Sequence, residues 1–239
     1  NYSMYTGAVS LGGGTISNCW FLHNICVGGE KYKSESAGLF GSYTTIDSCV
    51  FIDNHNYSES SRYTAGALNV RYSSVSNCRF LNNSAHGTDA GGALHSNFST
   101  INNCFFEGNF VRPDGSGNAG AAVALATDFY NSFFINNKGG DYYIDYNSSG
   151  AVASRGEVSY TNCLFTGNSS KMVGALSLAS NDKHVTNCTF YNNYAEYYGG
   201  ILLHSISDGK LNVKNSILYG NVPNNVQCIN NSELRFSYT

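Results

Sequence analysis

The sequence predicts an all-β fold, a right-handed parallel β-helix (solenoid) of about eight to nine coils with a period of ~28 residues. Three observations carry this prediction. A Cys-x-Phe motif and its variants recur eight times, an Asn follows each copy at a fixed distance, and a Gly followed by small and aliphatic residues precedes each one. The period is too long for a helical heptad. Within each copy, apolar residues alternate in short period-2 runs bounded by Asn and Gly, as strands and corners do.

The composition agrees. Only 12% of the 239 residues are charged, while 31 Asn, 31 Ser, 26 Gly and 18 Tyr carry most of the polarity. A 42% apolar and 14% aromatic content excludes simple disorder. The absence of any apolar run near eighteen residues argues against a spanning helix, so no membrane insertion by this segment is expected. A net charge of −3 supplies no basic footprint, so nucleic acid is not an expected partner. The chain opens at Asn1 without Met and reads as part of a longer one, with coils over 1–221 and a degenerate final coil of the same domain over 222–239.

Each element of the coil follows from its column. The first strand begins at the Gly motif: Gly7-Ala8-Val9, Gly38-Leu39-Phe40, Gly66-Ala67-Leu68, Gly92-Ala93-Leu94, Gly120-Ala121-Ala122, Gly150-Ala151-Val152, Gly174-Ala175-Leu176 and Gly200-Ile201-Leu202. Ala and its neighbour alternate in a strand, so one column should face outward as a flat apolar Ala-rich strip, covered by loops or by self-association with another copy. The second strand carries Ile16, Ile46, Val75, Ile101, Phe129, Tyr160, Val185 and Val213, three residues before each Cys or Ser. Both positions should point inward, yet their parities are opposite, so the chain must bend between them. The Asn just before the Cys is placed to do so, because Asn tolerates the left-handed backbone.

The third strand holds the ladders. Cys19, Cys49, Cys78, Cys104, Cys163 and Cys188 form one column, completed by Ser132 and Ser216. Phe21, Phe51, Phe80, Phe106, Phe134, Phe165 and Phe190 form the next. A further corner is expected at Asn24, Asn54, Asn83, Asn109, Asn137, Asn168, Asn193 and Asn221. The thiols read as buried small apolar groups, with an oxidised ladder as the alternative. Between each of these Asn and the next Gly lie 5 to 13 residues, which should project as loops from one edge of the rod.

The motifs G-[GA]-[AI]-[LIV] and F-x-x-N, cleanest at Gly91-Gly92-Ala93-Leu94 and Phe80-Leu81-Asn82-Asn83, resemble the repeats of chlamydial polymorphic outer-membrane proteins. They are similar also to adhesin-like surface proteins of methanogenic archaea and of parasitic protists. The resemblance spans about residues 7–221 and implies an extracellular or cell-surface, secreted protein used for adhesion or surface structure.

Half of the tyrosines fall in the projecting segments. Tyr57, Tyr63, Tyr142, Tyr143, Tyr146, Tyr194, Tyr197 and Tyr198 are candidate binding residues for a protein or glycan ligand, because Tyr offers a large contact area with a polar tip. Of the N-x-S/T sequons, Asn56 and Asn147 are the candidate glycosylation sites, being placed in exposed loops. The acids, among them Asp53, Asp89, Asp141 and Asp182, are dispersed over different copies, so no catalytic cluster is expected. The histidines occupy non-equivalent positions, and no metal or cofactor is expected. The expected function is therefore a non-enzymatic, adhesin-like surface protein. The alternatives are a subunit of an extracellular filament or sheath, and a polysaccharide lyase or hydrolase.

Overall fold

The computed structural model describes residues 7–28, 35–58, 63–112, 118–141, 148–179, 182–204, 209–230 and 232–237, and the backbone of 2–3. Across them the chain is all β, wound as a parallel β-solenoid of about seven turns. The eight Cys-x-Phe strands, from Trp20–Leu22 to Ile217–Tyr219, stack as one sheet and bound those turns, slightly fewer than the eight to nine coils expected. No described helix exists to cross a membrane.

One coil shows the plan. Leu68–Arg71 forms the first strand, Ser74–Ser76 the second, Arg79–Leu81 the third and Ser84–Ala85 a short fourth. Between them the backbone turns left-handed at Tyr72, Asn77 and Asn82, with φ of 50°, 55° and 54°. Each corner residue lies outward and is flanked by buried positions three apart: Val70 and Ser73, Val75 and Cys78, Phe80 and Asn83. A single left-handed residue thus resolves the clash of parity.

The Asn before the Cys of the column, replaced by Ser48 before Cys49, is such a corner residue. The Asn after Phe-x-x is not. The turn falls one residue earlier, at His23, Asp53, Asn82, Gly108, Asn136, Gly167, Asn192 and Gly220. The Asn column itself points inward and is buried. Asn83 Nδ2 donates to Asn109 Oδ1 at 3.0 Å and to the Phe51 carbonyl at 3.0 Å, and its backbone N–H donates to the same Oδ1 at 2.9 Å. The pattern runs from Asn24 to Asn225, so every amide from Asn54 to Asn221 finds partners above and below. Burial is tolerated because the donors and acceptors are used.

Beside this ladder the Phe rings stack from Phe21 to Phe190, with centroids 4.5 to 4.9 Å apart and planes within 7° of parallel. The cysteines are free thiols. They do more than fill space: Cys49 N–H donates to Cys78 Sγ at 3.4 Å, and Cys104 N–H donates to Ser132 Oγ at 3.1 Å. Serine substitutes for Cys here because its hydroxyl makes the same rung.

The Ala column is not an outward strip. Ala67, Ala93, Ala121, Ala151 and Ala175 are fully buried in the same core as Leu68, Leu94, Val152 and Leu176. The N–H groups of Ala67 and Leu68 both donate to the Ala93 carbonyl, at 3.0 and 2.9 Å, which breaks the alternation and turns both side chains inward. Gly66 makes the bend possible, since a Cβ there would lie 2.0 Å from the Gly92 carbonyl oxygen. No flat Ala face remains for self-association. The outward column of the first strand is the next one, Asn69, His95, Val123, Ala153, Ser177 and Leu202, and the chain's own segments bury it. Ala119 packs with Val123 and Ala153, and Met172 and Val173 pack with Leu202.

Candidate ligand-binding face

Along the first strands, a row of side chains one step beyond this covered column reaches the surface. Arg71, Asn97, Leu125 and Arg155 are successive partners in register. Coil spacing separates the two arginines by about 14 Å. Around them lies a cavity of about 360 Å³, walled by Tyr63, Asp89, His95 and Val123.

Each guanidinium has one carboxylate partner among the described residues. Arg71 Nη2 lies 3.1 Å from Glu35 Oε1, and Arg155 Nη2 lies 2.9 Å from Asp89 Oδ1. Asn118 Nδ2 donates to the same Asp89 oxygen at 2.7 Å. The arginine side chains remain 40% and 42% exposed, so further N–H donors face the cavity. His95, 3% exposed, forms part of the floor, with the Tyr63 ring edge-on at 5.5 Å. Burial pushes its pKa down to about 4, against an opposing pull from Asp89, so its ring is neutral at physiological pH. His95 Nδ1 and Asn97 Oδ1 are buried without a hydrogen-bond partner. The cavity therefore balances two cations against two carboxylates.

A second concavity lies across the adjoining corner. The corner column reads Tyr43, Tyr72, Phe98, Ala126 and Gly156, all at positive φ. The three rings stack, with centroids 5.0 and 5.3 Å apart, and stand out at 69%, 50% and 51% exposure. Bulky residues are strained in this conformation, and such strain gathers at functional positions. After Phe98 the ridge drops to Ala126 and Gly156, where a hollow of about 640 Å³ opens, lined also by Asp128, Glu157, Ser159, Asp182 and His184. Here stacking gathers acids that looked dispersed along the chain. Val158 pairs with Lys183, so Glu157 and Asp182, each one residue earlier, hold equivalent places in adjacent coils. Asp128 Oδ1 accepts from Ser159 N–H at 2.8 Å and from Ser159 Oγ at 2.6 Å.

The loop tyrosines do not form one site. Tyr63 lines the first cavity. The Tyr57 ring lies under the Arg112 guanidinium at 4.2 Å. Tyr198 packs on the cluster of Met172, Val173 and Leu202, with Tyr197 tilted against it at 6.4 Å, and Tyr194 is exposed on a short strand. Tyr142, Tyr143, Tyr146 and Asn147 lie outside the described residues. Asn56 is not in an exposed loop: it is fully buried in a short strand, donating to the Ala65 carbonyl at 3.3 Å and accepting from Ser58 N–H at 3.1 Å. A buried, bonded amide leaves no room in this fold for an attached glycan. The inward columns of the repeat give no sign of Arg71, Asn97 and Phe98. Aligning the residues just beyond the Gly-Ala strand would have marked them as columns of their own.

The chain matches no family model, no curated protein and no solved structure.

Proposed function

We propose that this protein is a non-enzymatic, adhesin-like surface protein that binds neutral glycans on the face carrying Arg71, Asn97 and Arg155. One observation carries the reading: two charge-balanced arginine–carboxylate pairs, with part of each guanidinium exposed, stand at one cavity beside the Tyr63 ring. Sugar hydroxyls donate and accept at once, so they donate to the Asp89 carboxylate while receiving guanidinium N–H groups. Tyr63, Val123 and Leu125 supply apolar surface for the C–H face of a sugar ring. The repeat motifs favour an extracellular, cell-surface setting.

A glycan array probed with the wild-type chain and Arg155→Ala tests this. Binding of neutral oligosaccharides that the variant loses is the expected result, and no binding to any neutral glycan would overturn it. A second reading, a polysaccharide hydrolase or lyase, draws on the carboxylates of Asp128, Glu157 and Asp182 around one hollow. Release of reducing ends from a bound polysaccharide would favour that reading over the first.

A further inference from the structure

We infer that the two concavities are one path, and that a linear neutral polysaccharide crosses the solenoid through the gap in the aromatic ridge at Ala126 and Gly156. The inference rests on the glycan reading and adds the class of ligand and its direction.

Three observations support it. Leu125 lines the first cavity and Ala126 the second, so the two adjoin across a single peptide unit. Arg155 and Glu157 stand in the same relation on either side of Gly156. The ridge of Tyr43, Tyr72 and Phe98 blocks passage over three coils, and it is replaced by a methyl group and a hydrogen over the next two. The face of Phe98 turned away from Tyr72 borders the hollow, where it offers a flat apolar wall to a sugar ring.

The chemistry along the path selects the ligand. Its first half pairs Arg71 and Arg155 with Glu35 and Asp89 and is close to neutral. Its second half presents Asp128, Glu157 and Asp182. Carboxylates accept from hydroxyls and repel polyanions, so uronate and sulfated chains are excluded. A ligand short enough to sit in one cavity forgoes the other, so affinity should rise with chain length.

The probes are ladders of neutral glucan, xylan and mannan oligosaccharides of two to ten residues, with a polyuronate as charge control. The expected result is a rise of tenfold or more in affinity between the disaccharide and the longer oligomers of at least one ladder, with no binding of the polyuronate. Ala126→Tyr should abolish that rise. The corner already holds tyrosines at Tyr43 and Tyr72, so this variant should fold, and its circular dichroism spectrum should match the wild type. Phe98→Ala should lower affinity for long chains by the loss of its wall. A length dependence that survives Ala126→Tyr, a ladder bound without length dependence, or tighter binding of the polyuronate would overturn the path alone. Failure of all three neutral ladders to bind would instead overturn the underlying glycan reading.

Discussion

Arg155 holds its Nη2 2.9 Å from Oδ1 of Asp89, a residue 66 positions earlier in the chain. The pair ties a segment between coils to the exposed row of the first strands and sets one wall of the cavity. It is half-exposed, so its contribution to stability should stay below about 1 kcal/mol. Arg155→Ala is therefore expected to weaken glycan binding about tenfold or more while moving the unfolding midpoint little. Titration calorimetry and thermal melts on the same preparations separate the two effects; a large loss of stability with unchanged affinity would make the pair purely structural.

Asn109 accepts two bonds from Asn83 and donates to Asn137 Oδ1 at 3.0 Å and to the Phe80 carbonyl at 2.9 Å. Asn109→Leu removes these and strands the buried donors of Asn83. A loss of about 2–4 kcal/mol in denaturant unfolding is expected. Phe106→Ala, which opens the ring stack, should cost about 3–5 kcal/mol. A neutral outcome at Asn109 would mean that water reaches the ladder.

Lys183 is a fully buried cation whose strand partners on either side are Val158 and Leu211. Its ammonium donates to the Gly156 carbonyl. Burial pushes its pKa down to about 8, partly offset by Glu157 and Asp182. Between pH 8 and 10.5 the folded state binds fewer protons than the unfolded, so stability rises with pH across that window, and the full penalty applies below it. Lys183→Leu should stabilise the protein by roughly 1–3 kcal/mol at pH 7, with the gain shrinking towards pH 10.5. Urea unfolding at both pH values checks this, and a destabilised variant at pH 7 would show that the Gly156 bond outweighs the burial.

His95 acts in the acid range. Its folded pKa of about 4 lies below the ordinary 6.5, so the unfolded chain takes up the proton first. Its contribution is complete above pH 6.5 and is lost as pH falls from there towards 4, up to roughly 3 kcal/mol. Melting temperatures of wild type and His95→Gln should converge over that interval; parallel curves would place the acid sensitivity elsewhere.

Thiol labelling should separate the cysteines. Cys19 is exposed at the first turn and should react fastest with iodoacetamide. Burial pushes Cys49 up to about 11, and Cys78 is raised by its contact with Cys104 and by burial. Both should stay unmodified until the chain unfolds. Mass spectrometry of timed samples shows the order, and early modification of Cys78 would contradict a closed core.

By itself the sequence determined the solenoid. Its Cys, Phe and aliphatic columns repeat because every coil presents the same inward positions, and the Asn before the column Cys, or Ser48 before Cys49, marks a real corner. Periodicity reports which residues share an environment. It does not report which of two neighbouring residues turns. Hence periodicity points to Asn83 as the corner when Asn82 makes it, and to Ala67 as outward when a shared carbonyl acceptor turns it in. The candidate site was less legible. Arg71, Asn97, Leu125 and Arg155 differ in chemistry, so they leave no repeat signal, and Asp89 reaches Arg155 from another coil. Only the stacking of coils, which places residues far apart in sequence one strand apart in space, decided that these side chains meet, and that the ring ridge ends where Ala126 begins.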